Sequence, residues 1–189
     1  MKISEIEEAL KFTQASPYGF VNARNKSQRA TFLSQNSPHD LTNHQLYVGH
    51  SSDTGYAIDQ NKDLQNVFSN ANIDFTKGKG LGREALIDAS KNGATTLDCF
   101  DGFLPKYYKK FGFVVTSRLP FDDEYAPPNW NYKDYGRPDV VFMVYRGGPR
   151  ETIEKRVGRF LPYHAGEGKY YSSYEDAKHE QQTRARMLK

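Results

Sequence analysis

The segment best suited to chemistry alternates glycines with basic side chains and then enters a pattern typical of a helix. Glycines leave successive backbone N–H groups accessible to an anion, and a helix N-terminus adds partial positive charge. Basic side chains on the rim of such a loop strengthen the binding of phosphate groups. We therefore predict a pyrophosphate-binding loop formed by Lys77, Gly78, Lys79, Gly80, Leu81, Gly82 and Arg83.

Two common phosphate-binding motifs do not fit this segment. Its spacing is neither G-x-G-x-x-G nor G-x-x-x-x-G-K followed by Ser or Thr. The segment also begins only at Lys77, behind several strands, whereas a dinucleotide-binding Rossmann domain carries its glycines directly after the first strand. A P-loop hydrolase is therefore excluded and a Rossmann domain is not expected. A flexible glycine-rich turn is the remaining alternative.

The chain before this segment has the pattern of two helices and then an antiparallel meander. Residues 26–35 favour a short second helix. Residues 44–50, 54–59 and 63–69 are rich in strand-forming side chains, with a turn at 60–62, and they predict three antiparallel strands. Residues 3–12 predict the first helix, because four apolar side chains lie close to one helical face: Ile3, Ile6, Leu10 and Phe12.

Helices and strands alternate after the glycine segment. Apolar spacing predicts a helix over 82–92, ended by Asn92-Gly93, and the strand-forming residues 94–100 follow at once. A strand, a helix and a second strand in this order predict a parallel crossover unit. Residues 113–119 and 139–146 predict two closing strands.

A short helix is predicted between the strand at 94–100 and the strand at 113–119. Asp101 is positioned to cap its N-terminus, Pro105 is tolerated in its first turn, and Gly112 ends it. The helix carries two adjacent tyrosines, Tyr107 and Tyr108.

Two short motifs of this chain resemble those of the GNAT superfamily of N-acetyltransferases. The loop motif of that superfamily is often R-G-K-G-I-G, and residues 77–82 match that form at four of six positions. Its second motif is a short helix ending in Tyr, two charged residues, a variable residue, Gly and Phe, which resembles Tyr108-Lys109-Lys110-Phe111-Gly112-Phe113. The resemblance covers roughly residues 40–146. The chain is also similar to phage-encoded acetyltransferase-like proteins.

The resemblance implies a fold and a reaction. The fold class is α/β (α+β), with a mixed, mostly antiparallel twisted sheet whose central parallel pair of strands splays apart, flanked by helices. Acetyl-CoA would bind in that gap as the co-substrate of an N-acetyltransferase. A primary amine would attack the thioester directly in a ternary complex, and the backbone of residues 78–83 would hold the pyrophosphate.

The same resemblance assigns roles to individual residues. Backbone N–H groups of Phe68, Ser69 and Asn70 would bind the pantetheine amide and polarise the thioester carbonyl, as an oxyanion hole does. Tyr108 corresponds to the tyrosine that protonates the departing CoA thiolate. Tyr107 is interpreted as structural.

The chain departs from the superfamily pattern at two catalytic positions. Residues 63–75 contain no Glu to serve as general base, and Asp63, Asp74 and Asp98 are unranked substitutes. Asp101 replaces an asparagine that contacts CoA in the superfamily, and we interpret it as a helix N-cap. The alternative function is therefore a non-catalytic structural or interaction protein with the same fold.

Residues 120–139 form a long connection rich in acids, aromatics and prolines. Loops of this length are typically functional or disordered, and the aromatic side chains favour order. In the superfamily this connection borders the acceptor site, so Asp122, Asp123 and Glu124 are predicted to attract a cationic amine such as a lysine, a protein N-terminus, a polyamine or an aminoglycoside. The alternative is a solvated acidic turn packed by Trp130.

Composition narrows the class of protein. With 37% hydrophobic and 14% aromatic residues the chain is typical of a globular domain. Cys99 is the single cysteine and the histidines are not at metal-ligand spacing, so neither a disulfide framework nor a metal site is expected, and Cys99 is interpreted as an inert core residue. No apolar run approaches a membrane span and the first twelve residues carry acids, which predicts a cytoplasmic protein, or a virion component if phage-encoded.

The last forty residues differ from the rest in charge. Residues 1–149 carry 17 basic and 17 acidic side chains, whereas residues 150–189 carry 9 and 6. We therefore predict a catalytic domain over 1–149 and a basic, partly helical extension over 150–189, with Ser172 or Ser173 capping its last helix. The extension is expected to contact a protein partner or a second copy, and not nucleic acid, because its charge is spread out.

Overall fold

The computed structural model describes residues 11–27, 30–50, 52–69, 81–146, 164 and 166–188. These residues form eight strands and five α-helices, which confirms the mixed α/β class. The chain divides into two compact units, residues 1–94 and 95–189. The basic extension was predicted to begin at residue 150. Its described part belongs to the second unit.

The first unit contains a four-stranded antiparallel meander, one strand longer than predicted. Consecutive strands pair throughout, with Tyr47 opposite Tyr56 in the second and third strands. Phe12, predicted on a helix, lies in the first strand; the predicted helical residues Ile3, Ile6 and Leu10 lie outside the described residues. The strands are β1 (Phe12–Gln14), β2 (Gln45–Gly49), β3 (Thr54–Ile58) and β4 (Asp63–Ser69).

The first helix, α1 (Pro17–Asn25), has sequence signals that the prediction missed. The Ser16 side chain accepts a hydrogen bond from the Gly19 N–H at 3.2 Å, and Pro17 occupies the start of the helix, where its missing N–H costs nothing. The helix packs through Phe20, whose ring meets Phe68 edge-on at 5.7 Å. The helix predicted at residues 26–35 is wrong in extent, since the described part of that span contains only a short 3₁₀ turn, Ala30–Phe32.

The helix after the glycine segment, α2 (Leu81–Lys91), agrees with the predicted span to within one residue at each end. Its apolar stripe is buried at Ala85, Leu86 and Ala89, as the spacing predicts. The predicted stop is confirmed, because Gly93 has a φ of 90°, which favours glycine.

A buried hydrogen-bond network joins α2 to strand β3. The fully buried Tyr56 hydroxyl donates to the Asp88 carboxylate at 2.5 Å and accepts a hydrogen bond from the Asn92 side chain at 2.8 Å. Burial and the bond to Asp88 raise the pKa of Tyr56, so the phenol stays neutral and remains a donor. The network fixes the C-terminal end of α2 on the sheet.

Removing the Tyr56 hydroxyl should destabilise this unit. We expect Tyr56→Phe to lower the free energy of unfolding by about 1.5–3 kcal/mol, because the half-buried Asp88 carboxylate loses a charge-assisted hydrogen bond. Urea unfolding monitored by circular dichroism measures the difference. Tyr47→Phe is the matched control, since the Tyr47 ring stacks on Tyr56 while its hydroxyl has only a 3.4 Å contact to Gln45. Equal stability of the two variants would contradict this assignment.

The second unit contains a sheet in the order β5-β7-β6-β8. The pairs β5·β7 and β6·β7 are antiparallel, and β6·β8 is parallel, with Ser117 opposite Lys169. The strands predicted at 94–100, 113–119 and 139–146 are confirmed. They are β5 (Thr96–Phe100), β6 (Phe113–Leu119) and β7 (Val140–Tyr145), joined by the short β8 (Lys169–Tyr170).

Three helices accompany this sheet: α3 (Phe103–Lys109), α4 (Tyr132–Tyr135) and α5 (Tyr174–Met187). Ser173 caps α5, as one of the two predicted alternatives requires, because its side chain accepts from the Asp176 N–H at 3.2 Å. The fully buried Gln181 side chain donates to the carbonyls of Leu97 and Met143 at 2.7 and 2.8 Å. Helix α5 therefore packs into the second unit. Among the described residues no helix is long and apolar enough to span a membrane.

Candidate functional site

The described part of the predicted phosphate loop is its junction with α2. Helix α2 begins at Leu81, and Gly82 and Arg83 lie in its first turn. The Arg83 guanidinium donates to the Glu84 carboxylate at 3.2 Å while remaining one-third exposed. The other predicted loop residues, Lys77, Gly78, Lys79 and Gly80, lie outside the described residues. Asn70, predicted to bind the cofactor at the end of the preceding strand, also lies outside them.

Strand β4 places two of the predicted cofactor-binding residues. Phe68 is 3% exposed, pairs with Gly55 and belongs to the core under α1, so only its backbone is suited to binding. A Cβ added to Gly55 would lie 2.7 Å from the Phe68 ring, which explains why glycine is needed opposite it. Ser69 ends the strand, is exposed, and makes a 3.3 Å hydroxyl contact with Thr54.

A β-bulge interrupts β4 just before these residues. Gly55 pairs with Phe68 and Ala57 pairs with Gln65, so Asn66 and Val67 together lie opposite the single residue between Gly55 and Ala57. Asn66 has a φ of 51° and is 7% exposed, and neither polar atom of its carboxamide has a hydrogen-bond partner within the described ranges. Bulges are frequent beside active sites, where they redirect backbone and side-chain groups. The sequence analysis did not identify Asn66, although asparagine tolerates this backbone conformation better than most residues other than glycine.

Tyr108 lies on α3 and is largely buried. Its ring packs against Tyr107 and Phe113, with both centroid distances at 6.0 Å, and it is 8% exposed. Burial raises the pKa of Tyr108 above its ordinary value near 10, so the hydroxyl carries its proton throughout the physiological range. A phenol in this state can donate a hydrogen bond or a proton, but it is a weaker acid than an exposed tyrosine.

Asp101 does not cap α3, which corrects the prediction. The N-cap is Gly102, with a φ of 126° and no side-chain cap. The Asp101 carboxylate instead accepts a 2.7 Å hydrogen bond from Arg118, which is 1% exposed. A buried guanidinium needs carboxylate partners, and this need outweighs the modest stabilisation that a cap gives.

Arg118 holds a polar cluster in the second unit. Its Nη1 donates to Asp101 and Asp139 at 2.7 and 2.9 Å, and its Nε donates to the Glu167 carbonyl at 3.0 Å. The Tyr170 hydroxyl also donates to Asp139, at 2.7 Å. The cluster joins β6, the start of α3 and the segment at β8, so it is a structural element of the unit.

Cys99 lies close to this cluster, near Asp101 and Arg118. Burial raises the pKa of Cys99 well above its ordinary value, so the sulfur stays a thiol and is a poor nucleophile. Asp98 accepts contacts at 3.3 Å from Tyr174 and Lys178, and Asp63 is 2% exposed. Asp74 lies outside the described residues. These contacts do not single out any of the three aspartates as the general base.

The predicted acceptor acids lie on an ordered loop. Asp122 caps a 3₁₀ turn, Asp123–Tyr125, by accepting from the Glu124 N–H at 2.9 Å, and Asp123 pairs with Arg137 at 2.9 Å. Trp130 orders the loop, because its ring packs against Phe100 at 4.8 Å and its indole N–H donates to a loop carbonyl. All three acids are exposed, but two of them already stabilise the loop itself.

The described side chains include no group of three or more His, Cys, Asp or Glu arranged to hold a metal ion. In the first unit the candidate binding groups are the backbone at the end of β4, the start of α2, and the Asn66 carboxamide, which has no hydrogen-bond partner among the described residues. Tyr108 is a separate candidate in the second unit. Comparisons of the chain with models of known protein families, with curated proteins and with solved structures give no match.

Proposed function

We propose that this chain is an acetyl-CoA-dependent N-acetyltransferase with a GNAT-type fold, including the splayed pair of parallel strands. The observation that carries the proposal is that α2 begins at Leu81, directly after Gly78 and Gly80. The first N–H groups of a helix have no carbonyl partner within that helix, and together with the partial positive charge of the helix end they suit a pyrophosphate. Lys77 and Lys79 add positive charge to the same segment.

Strand β4 supports the second part of the proposal. Acetyl-CoA supplies an activated acetyl group, and the protein must hold its thioester and make its carbonyl more electrophilic. Backbone N–H groups at the end of β4, from Phe68 to Asn70, are proposed to donate to the pantetheine amide and to that carbonyl. One preorganised donor of this kind typically contributes about 3 kcal/mol to the transition state. The unpaired Asn66 carboxamide fits a ligand with amide groups along this strand.

Tyr108 is the proposed proton donor to the CoA thiolate. Its burial keeps the phenol protonated, as a donor requires. However, an ordinary thiol has a pKa of about 8.5, so transfer from a phenol with a raised pKa is uphill in free energy. The contribution of Tyr108 should therefore lie at the lower end of the 10²- to 10⁴-fold that general acids supply.

Tyr108→Phe tests this role. We expect the turnover number to fall by about 10²-fold while the dissociation constant for acetyl-CoA changes by less than about threefold, because the hydroxyl acts on the leaving group and the ring packing is preserved. Steady-state kinetics with a primary amine acceptor, beside calorimetric titration, measures both quantities. Tyr107→Phe is the control on the same helix. Equal turnover in the two variants would remove Tyr108 from the mechanism.

The proposed acceptor is a primary amine, either a small molecule or a protein lysine or N-terminus. Asp122, Asp123 and Glu124 are exposed and would attract its cationic form. The Arg137 guanidinium partly neutralises Asp123, which leaves Asp122 and Glu124 as the proposed contacts.

A non-catalytic module of the same fold is the second candidate, and the burial of Tyr108 favours it. In that case residues 150–189 would supply a protein contact. Calorimetric titration with acetyl-CoA, CoA and ATP separates the two functions. Micromolar binding of acetyl-CoA and CoA but not ATP supports the transferase, whereas a folded protein that binds none of them supports the module.

A further inference from the structure

The Asn66 carboxamide is an unusual feature of β4. It is 7% exposed, and neither its Nδ2 nor its Oδ1 has a hydrogen-bond partner among the described residues. Buried polar groups are nearly always paired, because a lost hydrogen bond is not regained from water. The Tyr56 hydroxyl, on the residue opposite the bulge, is already engaged by Asp88 and Asn92.

The backbone at Asn66 does not explain the side chain. A φ of 51° at the bulge requires a residue that tolerates the left-handed region, and glycine satisfies this requirement better than asparagine. Glycine would also avoid burying two unpaired polar atoms. A carboxamide at this position is therefore explained by a partner that binds there.

We propose that the Asn66 carboxamide pairs with secondary amides of the acyl donor, which makes Asn66 a ligand-binding residue. Its Nδ2 donates to the carbonyl of one amide and its Oδ1 accepts from the N–H of a second, because the N–H and C=O of a single trans amide point in opposite directions. The pantetheine arm of acetyl-CoA carries two such amides. This inference rests on the proposed function, and it adds a side-chain contact to the backbone contacts proposed for β4.

Asn66→Gly tests the inference because it keeps the backbone conformation and removes only the amide. The probes are acetyl-CoA and adenosine 3′,5′-bisphosphate, which has the 3′-phosphate and the first 5′-phosphate of CoA but no pantetheine. We expect the affinity for acetyl-CoA to fall at least about tenfold, as for the loss of two neutral hydrogen bonds, and the affinity for the bisphosphate to stay unchanged. Asn66→Asp, which keeps the shape but loses the donor, should weaken acetyl-CoA binding as well.

Asn129→Gly is the matched control, because Asn129 also has a positive φ, 64°, but is exposed in a loop of the second unit. Thermal unfolding without ligand should show that Asn66→Gly is as stable as the wild type. Wild-type affinity for acetyl-CoA in Asn66→Gly would overturn this inference alone. A wild-type protein that binds neither probe would overturn the proposed function, and the inference with it.

Discussion

Replacing Gly80 with glutamate should abolish acetyl-CoA binding. We expect affinity to fall at least about 100-fold, because a carboxylate placed in the proposed pyrophosphate loop would repel the phosphates and its side chain would cover the backbone N–H groups. A loss of this size corresponds to about 2.8 kcal/mol. Calorimetric titration with acetyl-CoA measures it, and far-ultraviolet circular dichroism checks that the protein is folded.

The control for Gly80→Glu must change the charge equally but leave the loop intact. Lys91→Gln meets both conditions, since Lys91 is exposed at the opposite end of α2 and the substitution also lowers the net charge by one. Its affinity for acetyl-CoA should be that of the wild type. If Gly80→Glu also binds normally, the pyrophosphate does not lie on this loop, and the main argument for an acetyltransferase is lost.

Truncating Arg118 should produce the largest loss of stability. We expect Arg118→Ala to lower the free energy of unfolding by about 3–5 kcal/mol, because it removes the buried guanidinium that pairs with both Asp101 and Asp139 and also removes the bond to the Glu167 carbonyl. Chemical denaturation measures the difference. The parallel β6·β8 pair should open first, which hydrogen exchange at Lys169 and Tyr171 would detect.

Arg137→Ala is the matched control for Arg118→Ala. It also removes an arginine from an aspartate, but the Arg137 and Asp123 side chains are 61% and 55% exposed. Exposed ion pairs contribute little because water solvates both charges when the pair is broken. Similar losses in the two variants would show that burial does not set the strength of the Arg118 cluster.

The sequence alone determined the elements with strong local patterns. The meander of β2, β3 and β4 follows from short β-forming runs separated by a turn, and α2 follows from its apolar spacing and the Asn92-Gly93 stop. The Ser173 cap is a local signal of the same kind. In each case the residues that form an element also contain the information that predicts it. The extent of the phosphate loop, by contrast, stays a prediction, since most of it lies outside the described residues.

Only the tertiary structure decided how several side chains are used. Helix α1 was missed because its apolar pattern is weak, and it is stabilised by the contact of Phe20 with the distant Phe68. Asp101 precedes α3 at a position typical of an N-cap, but its carboxylate pairs with the buried Arg118 instead. The burial of Asn66 depends on strand register at the bulge. Charge pairing and burial join residues far apart in the chain, so no local pattern can predict them.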